Sequence, residues 1–145
     1  TRYVKLDGRT FFLVHGTPHD PLDEYLSDNP DAWQKRLAGI EADFVCVGHT
    51  HLPFHISLGT TQVLNPGSIG QPRDGDWRAS YAVVEDGQVQ FRRVEYDVER
   101  TLQQIRETGV NGTAFQIAEN GLRHGGREPL LSATSKSTIV INRSL

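Results

Sequence analysis

The apolar positions of this chain fall into short runs separated by turn-forming residues, a pattern that predicts β-strands. Apolar and β-branched residues at 3–6 and 10–14 flank Asp7-Gly8-Arg9, and Asp-Gly between such runs indicates a hairpin. The run at 44–47 is apolar throughout, so we expect it to lie inside a sheet, buried on both faces. Two further hairpins are predicted, at 54–58 with 61–64 and at 80–84 with 88–94.

Three segments combine a helical spacing of apolar residues with a capping residue at one end. Asn29 as N-cap, with Pro30 at the first helical position, predicts a helix that ends near Glu41. Its apolar face runs from Trp33 to Ile40. Two more helices are predicted, at 98–108 after the cap Asp97 and at 113–123 before Gly125 and Gly126. A mixed first part followed by hairpins predicts an α/β (α+β) fold, in which a β-sheet sandwich has helices outside it.

Three histidines come directly after predicted strands. His15 follows the second strand, and Gly48-His49-Thr50-His51 follows the buried one. Because side chains alternate along an extended segment, we expect His49 and His51 to point to the same side. Open α/β sheets bind ligands at the carboxyl ends of their strands, so the three imidazoles are expected to converge on one sheet edge. Imidazole suits zinc, iron or manganese-type ions, which makes a metal site the prediction and a structural loop the alternative.

A loop of small residues ends another predicted strand. Asn65-Pro66-Gly67-Ser68 offers free backbone N–H groups that suit an anion, and Arg73 adds a charge for phosphate oxygens. We therefore predict substrate contacts from Asn65, Ser68 and Arg73, with an ordinary loop as the alternative.

Composition narrows the class of protein. The 145 residues carry a net charge of −3 without a basic stripe, which argues against non-specific binding to nucleic acid or anionic membranes. No apolar run approaches the roughly 20 residues of a membrane span, and the N-terminus has no apolar signal region. Cys46 is the only cysteine, which fits a reducing cytoplasm. Its place in an apolar run favours a buried hydrophobic role over metal binding.

Three blocks of the sequence occur in the order in which a known superfamily has them. Val14-His15-Gly16, Gly48-His49-Thr50-His51 and Asn65-Pro66-Gly67-Ser68 resemble the carboxy-terminal half of the calcineurin-like metallophosphoesterases, and above all their small bacterial and archaeal phosphodiesterase group. Residues 18–26 also resemble that group's loop after the first histidine. The resemblance implies a β-sandwich flanked by helices, which here would be incomplete on its N-terminal side.

This resemblance also implies a site for two divalent metal ions, for which manganese, iron, zinc or nickel would serve. It implies that His15 and His49 bind one ion and that His51 binds the other. Two such ions polarise a phosphoryl group and activate a water for attack on phosphorus. The expected activity is therefore hydrolysis of a phosphodiester or phosphomonoester substrate.

Three ligand blocks of the superfamily have no counterpart upstream of His15. Asp-x-His, Gly-Asp-x-x-Asp and Gly-Asn-His-Asp/Glu supply its carboxylates, and only fourteen residues precede His15. We therefore expect residues 1–125 to be the C-terminal part of a phosphoesterase domain, inactive without the missing N-terminal half. The polar tail at 126–145 is expected to be poorly ordered. The alternative function is a non-catalytic phosphoesterase-like scaffold that binds a protein partner.

Overall fold

Two β-sheets and three helices are present in residues 1–126, the part of the chain that this computed structural model describes. The strands are β1 (Arg2–Leu6), β2 (Arg9–Leu13), β3 (Phe44–Cys46), β4 (Phe54–Leu58), β5 (Thr61–Asn65), β6 (Ala79–Glu85) and β7 (Gln88–Val94). The helices are α1 (Pro30–Arg36), α2 (Val98–Glu107) and α3 (Gly112–His124). The mixed α/β class is confirmed, whereas the tail predicted at 126–145 lies outside the described residues from position 127 onward.

The strand order places three strand ends together. β1 to β5 form one sheet in the order β1-β2-β3-β5-β4, and β6 pairs with β7 in a second sheet. β3 runs parallel to both β2 and β5, so the carboxyl ends of these three strands share one edge. Phe44 and Val45 are fully buried in β3, which confirms the prediction of an interior strand.

Local turn chemistry explains why the hairpins were predictable. Asp7 and Gly8 both have positive φ, at 50° and 74°, in the turn between β1 and β2. Asp86 and Gly87 repeat this conformation, at 50° and 78°, between β6 and β7. Two successive residues with positive φ make the two-residue turn whose twist matches antiparallel strands, and Asp-Gly suits it.

Helix α1 begins as predicted but ends earlier. The side chain of Asn29 accepts a hydrogen bond from the Ala32 amide at 3.1 Å, and Pro30 occupies the first turn. The prediction of an end near Glu41 was wrong, because the helix stops at Arg36 and a turn with a left-handed Gly39 follows. This shorter helix still directs its apolar face toward the sheet.

The core lies on the face of the larger sheet that α1 covers. Trp33 is fully buried there, and its indole N–H donates to the Ser27 carbonyl at 2.6 Å. It packs with one inward residue from each neighbouring strand, namely Phe12, Val45, Val63 and Phe54. Burial of the indole ring and these side chains holds the sheet in place from one side.

The opposite face of this sheet is only partly covered. An open cavity of about 1240 Å³ separates it from the β6–β7 hairpin, with Leu13 and Leu64 on one wall and Ala82 and Val84 on the other. Cys46 also lines this cavity, and burial raises the pKa of its thiol to about 11. The thiol is therefore protonated at neutral pH, which disfavours metal binding.

Side-chain and backbone hydrogen bonds fix the β6–β7 hairpin to the larger sheet, among them one from the Ser80 amide to the Ser68 carbonyl at 2.9 Å. The Ser80 hydroxyl donates to the Pro66 carbonyl at 2.6 Å, and the Gln62 side-chain amide donates to the Gly87 carbonyl at 3.2 Å. Because Pro66 belongs to the loop that follows β5, the hairpin is tied to the edge where the strand ends meet.

Helices α2 and α3 pack against each other outside the sheets. Arg123 of α3 pairs with Glu99 of α2 and with Glu119 on its own helix. None of the helices within residues 1–126 is both long enough and apolar enough to cross a membrane.

Candidate metal centre

The ends of β2 and β3 bring two histidines together. The Val14 amide donates to the Cys46 carbonyl at 3.0 Å, and the Gly48 amide donates to the His15 carbonyl at 2.9 Å. This pairing continues the parallel ladder past both strands. His15 Nε2 and His49 Nδ1 consequently lie 2.9 Å apart, with their ring centroids separated by 4.7 Å.

The segment that carries His49 and His51 is not extended. Both residues have left-handed backbones, with φ of 61° and 59°, and the Thr50 amide donates to the Gly48 carbonyl at 2.7 Å in a tight turn. The expectation that strand alternation aligns the two side chains was therefore wrong. The strand ends at Cys46, and the directions of both imidazoles are set by a strained loop.

His51 is oriented separately from the other two histidines. Its Nδ1 donates to the Gln71 carbonyl, 2.8 Å away, because a carbonyl oxygen can only accept. In the neutral ring this leaves Nε2 with the free lone pair, which is the usual arrangement of a metal-binding histidine. Within residues 1–126, however, no three histidine, cysteine or carboxylate side chains group in a way that would hold one ion. His15 and His49 form a pair, and His51 does not complete a triad with them.

Asn65 lies beneath the loop at 48–51, inside the protein. Its side chain is fully buried, and its amide nitrogen donates to the Gly48 carbonyl at 2.7 Å and to the Thr50 hydroxyl at 3.0 Å. Its side-chain oxygen accepts from the Gly67 amide at 2.9 Å. All of these bonds are internal, so the structure gives Asn65 a role in holding the loop instead of the substrate contact predicted for it.

Tyr25 contacts the same loop from the outside. Its hydroxyl donates to the Thr50 carbonyl at 3.1 Å, and its ring stands edge-on to His49 with 5.7 Å between centroids. Tyr25 was not among the predicted site residues, although it lies in the segment 18–26 that follows the first histidine block. The sequence feature that could have identified Tyr25 is an aromatic residue in the loop that follows the first histidine.

A polar cluster anchors the loop on which Tyr25 lies. Glu24 accepts from Arg36 at 2.9 Å to Nε and 2.5 Å to Nη2, and also accepts from the Thr17 hydroxyl. Arg36 and Thr17 together lower the pKa of Glu24 to about 2. Gly16 allows the loop to close tightly, since an added Cβ would lie 2.7 Å from the Asp20 carbonyl oxygen. The ion pair thus ties this loop to α1, and Gly16 lets the loop fold closely on itself.

Ser68 and Arg73, the other two predicted substrate contacts, follow β5 at the carboxyl edge of the larger sheet. The Ser68 hydroxyl accepts from the Gln71 amide at 2.9 Å, which shapes the loop after β5. Arg73 is exposed, and its backbone amide donates to the His51 carbonyl at 3.3 Å. The Arg73 position is therefore directly linked to a histidine, and its side chain is accessible to an anion.

Residues 1–87 match the family model for the calcineurin-like phosphoesterase superfamily domain. The chain belongs to this superfamily. The resemblance of the three sequence blocks to this superfamily is thereby confirmed.

Individual relatives agree with this family. The chain is 34% identical over 118 residues to the uncharacterized protein MJ0912 of Methanocaldococcus jannaschii, covering 69% of this chain and 47% of the relative. A metallophosphoesterase crystal structure from Sphaerobacter thermophilus is 33% identical, with a TM-score of 0.68 over 81% of this chain and 57% of that one. The hypothetical protein PH1004 of Pyrococcus horikoshii OT3 shares the fold, with a TM-score of 0.74 at 24% identity, over 88% and 51% of the two chains. This chain therefore spans about half the length of these relatives.

The paired histidines fit one metal ion as part of its ligand set. Two imidazole nitrogens on a tetrahedral zinc ion lie about 3.3 Å apart, given zinc–nitrogen distances of about 2.0 Å. The separation of 2.9 Å between His15 Nε2 and His49 Nδ1 is that of a hydrogen bond between the two rings, and it is about 0.4 Å shorter than that value, so a small movement that loses this proton would admit an ion. No carboxylate joins this pair in a three-ligand group within residues 1–126, so the donor set suits a divalent cation but does not complete its coordination.

Proposed function

We propose that this chain carries the histidine half of the active site of a metal-dependent phosphoesterase. The observation that carries the proposal is the approach of His15 Nε2 and His49 Nδ1 to 2.9 Å at the carboxyl edge of the sheet, in a chain of this superfamily. His15 and His49 would hold one divalent ion and His51, through Nε2, a second; manganese, iron, zinc and nickel are the candidates. When bound, such ions polarise a phosphoryl group and lower the pKa of a coordinated water.

The residues around the histidines would bind and orient the substrate phosphate. Arg73 is exposed and its backbone amide donates to the His51 carbonyl, and guanidinium groups bind phosphate oxygens in pairs. Ser68 lies in the same loop region, where its hydroxyl already accepts from the Gln71 amide and can donate its proton to an anion. Asn65 would contribute by fixing the loop. Phosphodiesters and phosphomonoesters both fit this rim.

The carboxylates of a complete site would come from an N-terminal half that precedes this segment in the full-length protein. Two observations support this partner: the chain spans about half the length of its relatives, and the cavity between its two sheets is open. Residues 1–125 would then be the C-terminal part of the domain, in a cytoplasmic protein. Without carboxylates to bridge two ions, this chain alone would have no significant phosphoesterase turnover.

The first test measures bound metal per chain together with hydrolysis of bis(p-nitrophenyl) phosphate in added manganese. We expect weak metal binding that His49→Ala abolishes and no turnover by the chain alone. His55→Ala is the matched control, because His55 bonds Gln62 in the sheet and lies outside the site. Turnover that His49→Ala abolishes would contradict the need for the missing carboxylates. Metal binding unaffected by His49→Ala would contradict the assigned ligands.

A second candidate function is a phosphoesterase-like scaffold that binds a protein partner without catalysis. It is favoured by the absence of a three-ligand group within residues 1–126 and by exposed apolar side chains on the sheets, such as Leu6 and Phe91. The full-length protein discriminates between the two functions. Manganese-dependent hydrolysis by that protein, lost in His15→Ala, supports the enzyme, whereas intact metal-free partner binding without hydrolysis supports the scaffold.

A further inference from the structure

His49 and His51, the residues on either side of Thr50, both have strained backbones. A left-handed backbone is uncommon outside glycine, and here both histidines adopt it, with φ of 61° and 59°. Such conformations persist where the surrounding contacts over-determine them, and they cluster at functional sites. The residue between them, Thr50, is 1% exposed and is therefore inside the protein while both of its neighbours reach the surface.

Thr50 uses every polar group it has. Its amide donates to the Gly48 carbonyl at 2.7 Å, and its hydroxyl oxygen accepts from the Leu52 amide at 3.3 Å. The same hydroxyl accepts from the Asn65 side chain at 3.0 Å, while its carbonyl accepts from the Tyr25 hydroxyl at 3.1 Å. These bonds arrive from β5 below and from the loop after β2 outside, so two separate elements act on one buried residue.

We propose that Thr50 is the positioning residue of this site, through which Asn65 and Tyr25 hold His49 and His51 in left-handed conformations that direct their ring nitrogens toward divalent cations. The inference rests on the proposed function for the identity of the ligand. Asn65 clamps the loop from beneath through the Gly48 carbonyl and the Thr50 hydroxyl. Tyr25 fixes the Thr50 carbonyl and also restricts the His49 ring by edge-on contact.

A merely structural threonine offers the matched comparison. The Thr61 hydroxyl donates to the Ala42 carbonyl at 2.8 Å at the opposite end of β5, and Thr61 is half-buried. Thr61→Val therefore removes a hydroxyl hydrogen bond with the same change in shape as Thr50→Val. Thr50→Ser keeps the hydroxyl and is the rescuing variant.

The first measurement is calorimetric titration of the chain with Zn²⁺ alone. Loss of a group that orients a metal ligand typically lowers metal affinity by about 10- to 100-fold, and we expect Thr50→Val to fall in this range. Thr50→Ser should retain most of the affinity, and Thr61→Val should match the unmodified chain. Equal Zn²⁺ affinity in Thr50→Val and the unmodified chain would overturn the proposal.

The second measurement needs no metal, so it tests the positioning role of Thr50 separately from the proposed metal binding. Nitrogen-15 spectra of the imidazoles report ring tautomer, and in the unmodified chain His51 should carry its proton on Nδ1, where the Gln71 carbonyl accepts it. Thr50→Val should shift the His49 and His51 signals, whereas Thr61→Val should not. If the unmodified chain binds no Zn²⁺, the metal assignment fails, and unchanged imidazole signals in Thr50→Val would still overturn the positioning role independently.

Tyr25→Phe and Tyr25→Ala keep the proposal testable if Thr50→Val does not fold. Tyr25 is 52% exposed, so its replacement leaves the core intact. The phenylalanine variant loses only the bond to the Thr50 carbonyl, and the alanine variant also loses the contact with His49. We expect Zn²⁺ affinity to fall in that order, with a shift of the His49 signal. An alanine variant identical to the unmodified chain in both readouts would refute the role of Tyr25.

Discussion

At the scale of single residues, the polar side chains around the histidines form hydrogen bonds that fix the loop at 48–51. Asn65 has a short side chain with two donors and an acceptor, and it places them on three separate loop positions. Few other side chains offer both functions at that length. The energetic weight of such a residue comes from burial, because a buried carbonyl or amide without a partner costs more than a hydrogen bond gains.

Replacing Asn65 by alanine should therefore destabilise the fold. The Gly48 carbonyl and the Gly67 amide would each lose a partner, and we expect the free energy of unfolding to fall by about 1–3 kcal/mol. Urea unfolding followed by circular dichroism measures this change. Ser57→Ala, at an exposed position of β4, is the control and should stay within about 0.5 kcal/mol. A similarly small change for Asn65→Ala would refute the structural importance of these bonds.

At the scale of elements, the loop from Gly16 to Asn29 connects the core helix with the site. Arg36 at the end of α1 binds Glu24, and the next residue in the chain is Tyr25. Because the side chains of Arg36 and Glu24 are 29% and 21% exposed, this ion pair is shielded only in part from water. It nevertheless carries a clear electrostatic signature, since the pKa of Glu24 lies near 2 instead of 4.5.

This shift predicts a specific acid sensitivity. A carboxyl whose pKa is lower in the folded state stabilises the protein above its unfolded pKa, near 4.5, and that contribution disappears as pH falls toward 2. Arg36→Met should therefore lower the melting temperature at neutral pH, and the difference from the unmodified chain should shrink between pH 4.5 and pH 2. Thermal unfolding across this pH range measures it.

A neighbouring residue controls for the loss of charge in α1. Lys35 is exposed, and Lys35→Met should give a curve parallel to that of the unmodified chain. Asp76, whose pKa is also lowered to about 2 by Arg78, contributes acid sensitivity to every variant equally. If the effect of Arg36→Met were independent of pH, the ion pair with Glu24 would not be its cause.

The elements also show where sequence reasoning succeeds and where it stops. The Asp-Gly hairpins and the Asn29 cap were predictable because each depends on neighbouring residues alone. The edge where His15 and His49 meet followed from parallel strand order. The left-handed histidines were not predictable, since contacts from distant Tyr25 and Asn65 fix them. Likewise, the inward position of Asn65 was not predictable, because a polar residue followed by Pro66, Gly67 and Ser68 is typical of an exposed loop.

At the scale of the whole molecule, the two faces of the larger sheet differ in their coverage. One face is closed by α1 and Trp33, whereas the other opens onto a cavity of about 1240 Å³. The β6–β7 sheet has only two strands, so within residues 1–126 each of them presents an edge without a strand partner. Two-stranded sheets are marginal alone and unpaired edges attract further strands, which fits a segment that spans about half of its relatives.

The open face should make the isolated chain associate with itself. Leu13 is 39% exposed on the cavity wall, and joining two such surfaces would remove apolar area from water. We expect sedimentation velocity over a concentration series to show reversible oligomers, and Leu13→Lys to shift them toward monomer because a buried charge opposes the contact. Leu22→Lys is the control, since Leu22 is 68% exposed in the loop before α1 and does not line the cavity. A monomer at every concentration would contradict the expected association through this face. If the N-terminal half of the full-length protein packs against this face, co-expression with that half should abolish the association.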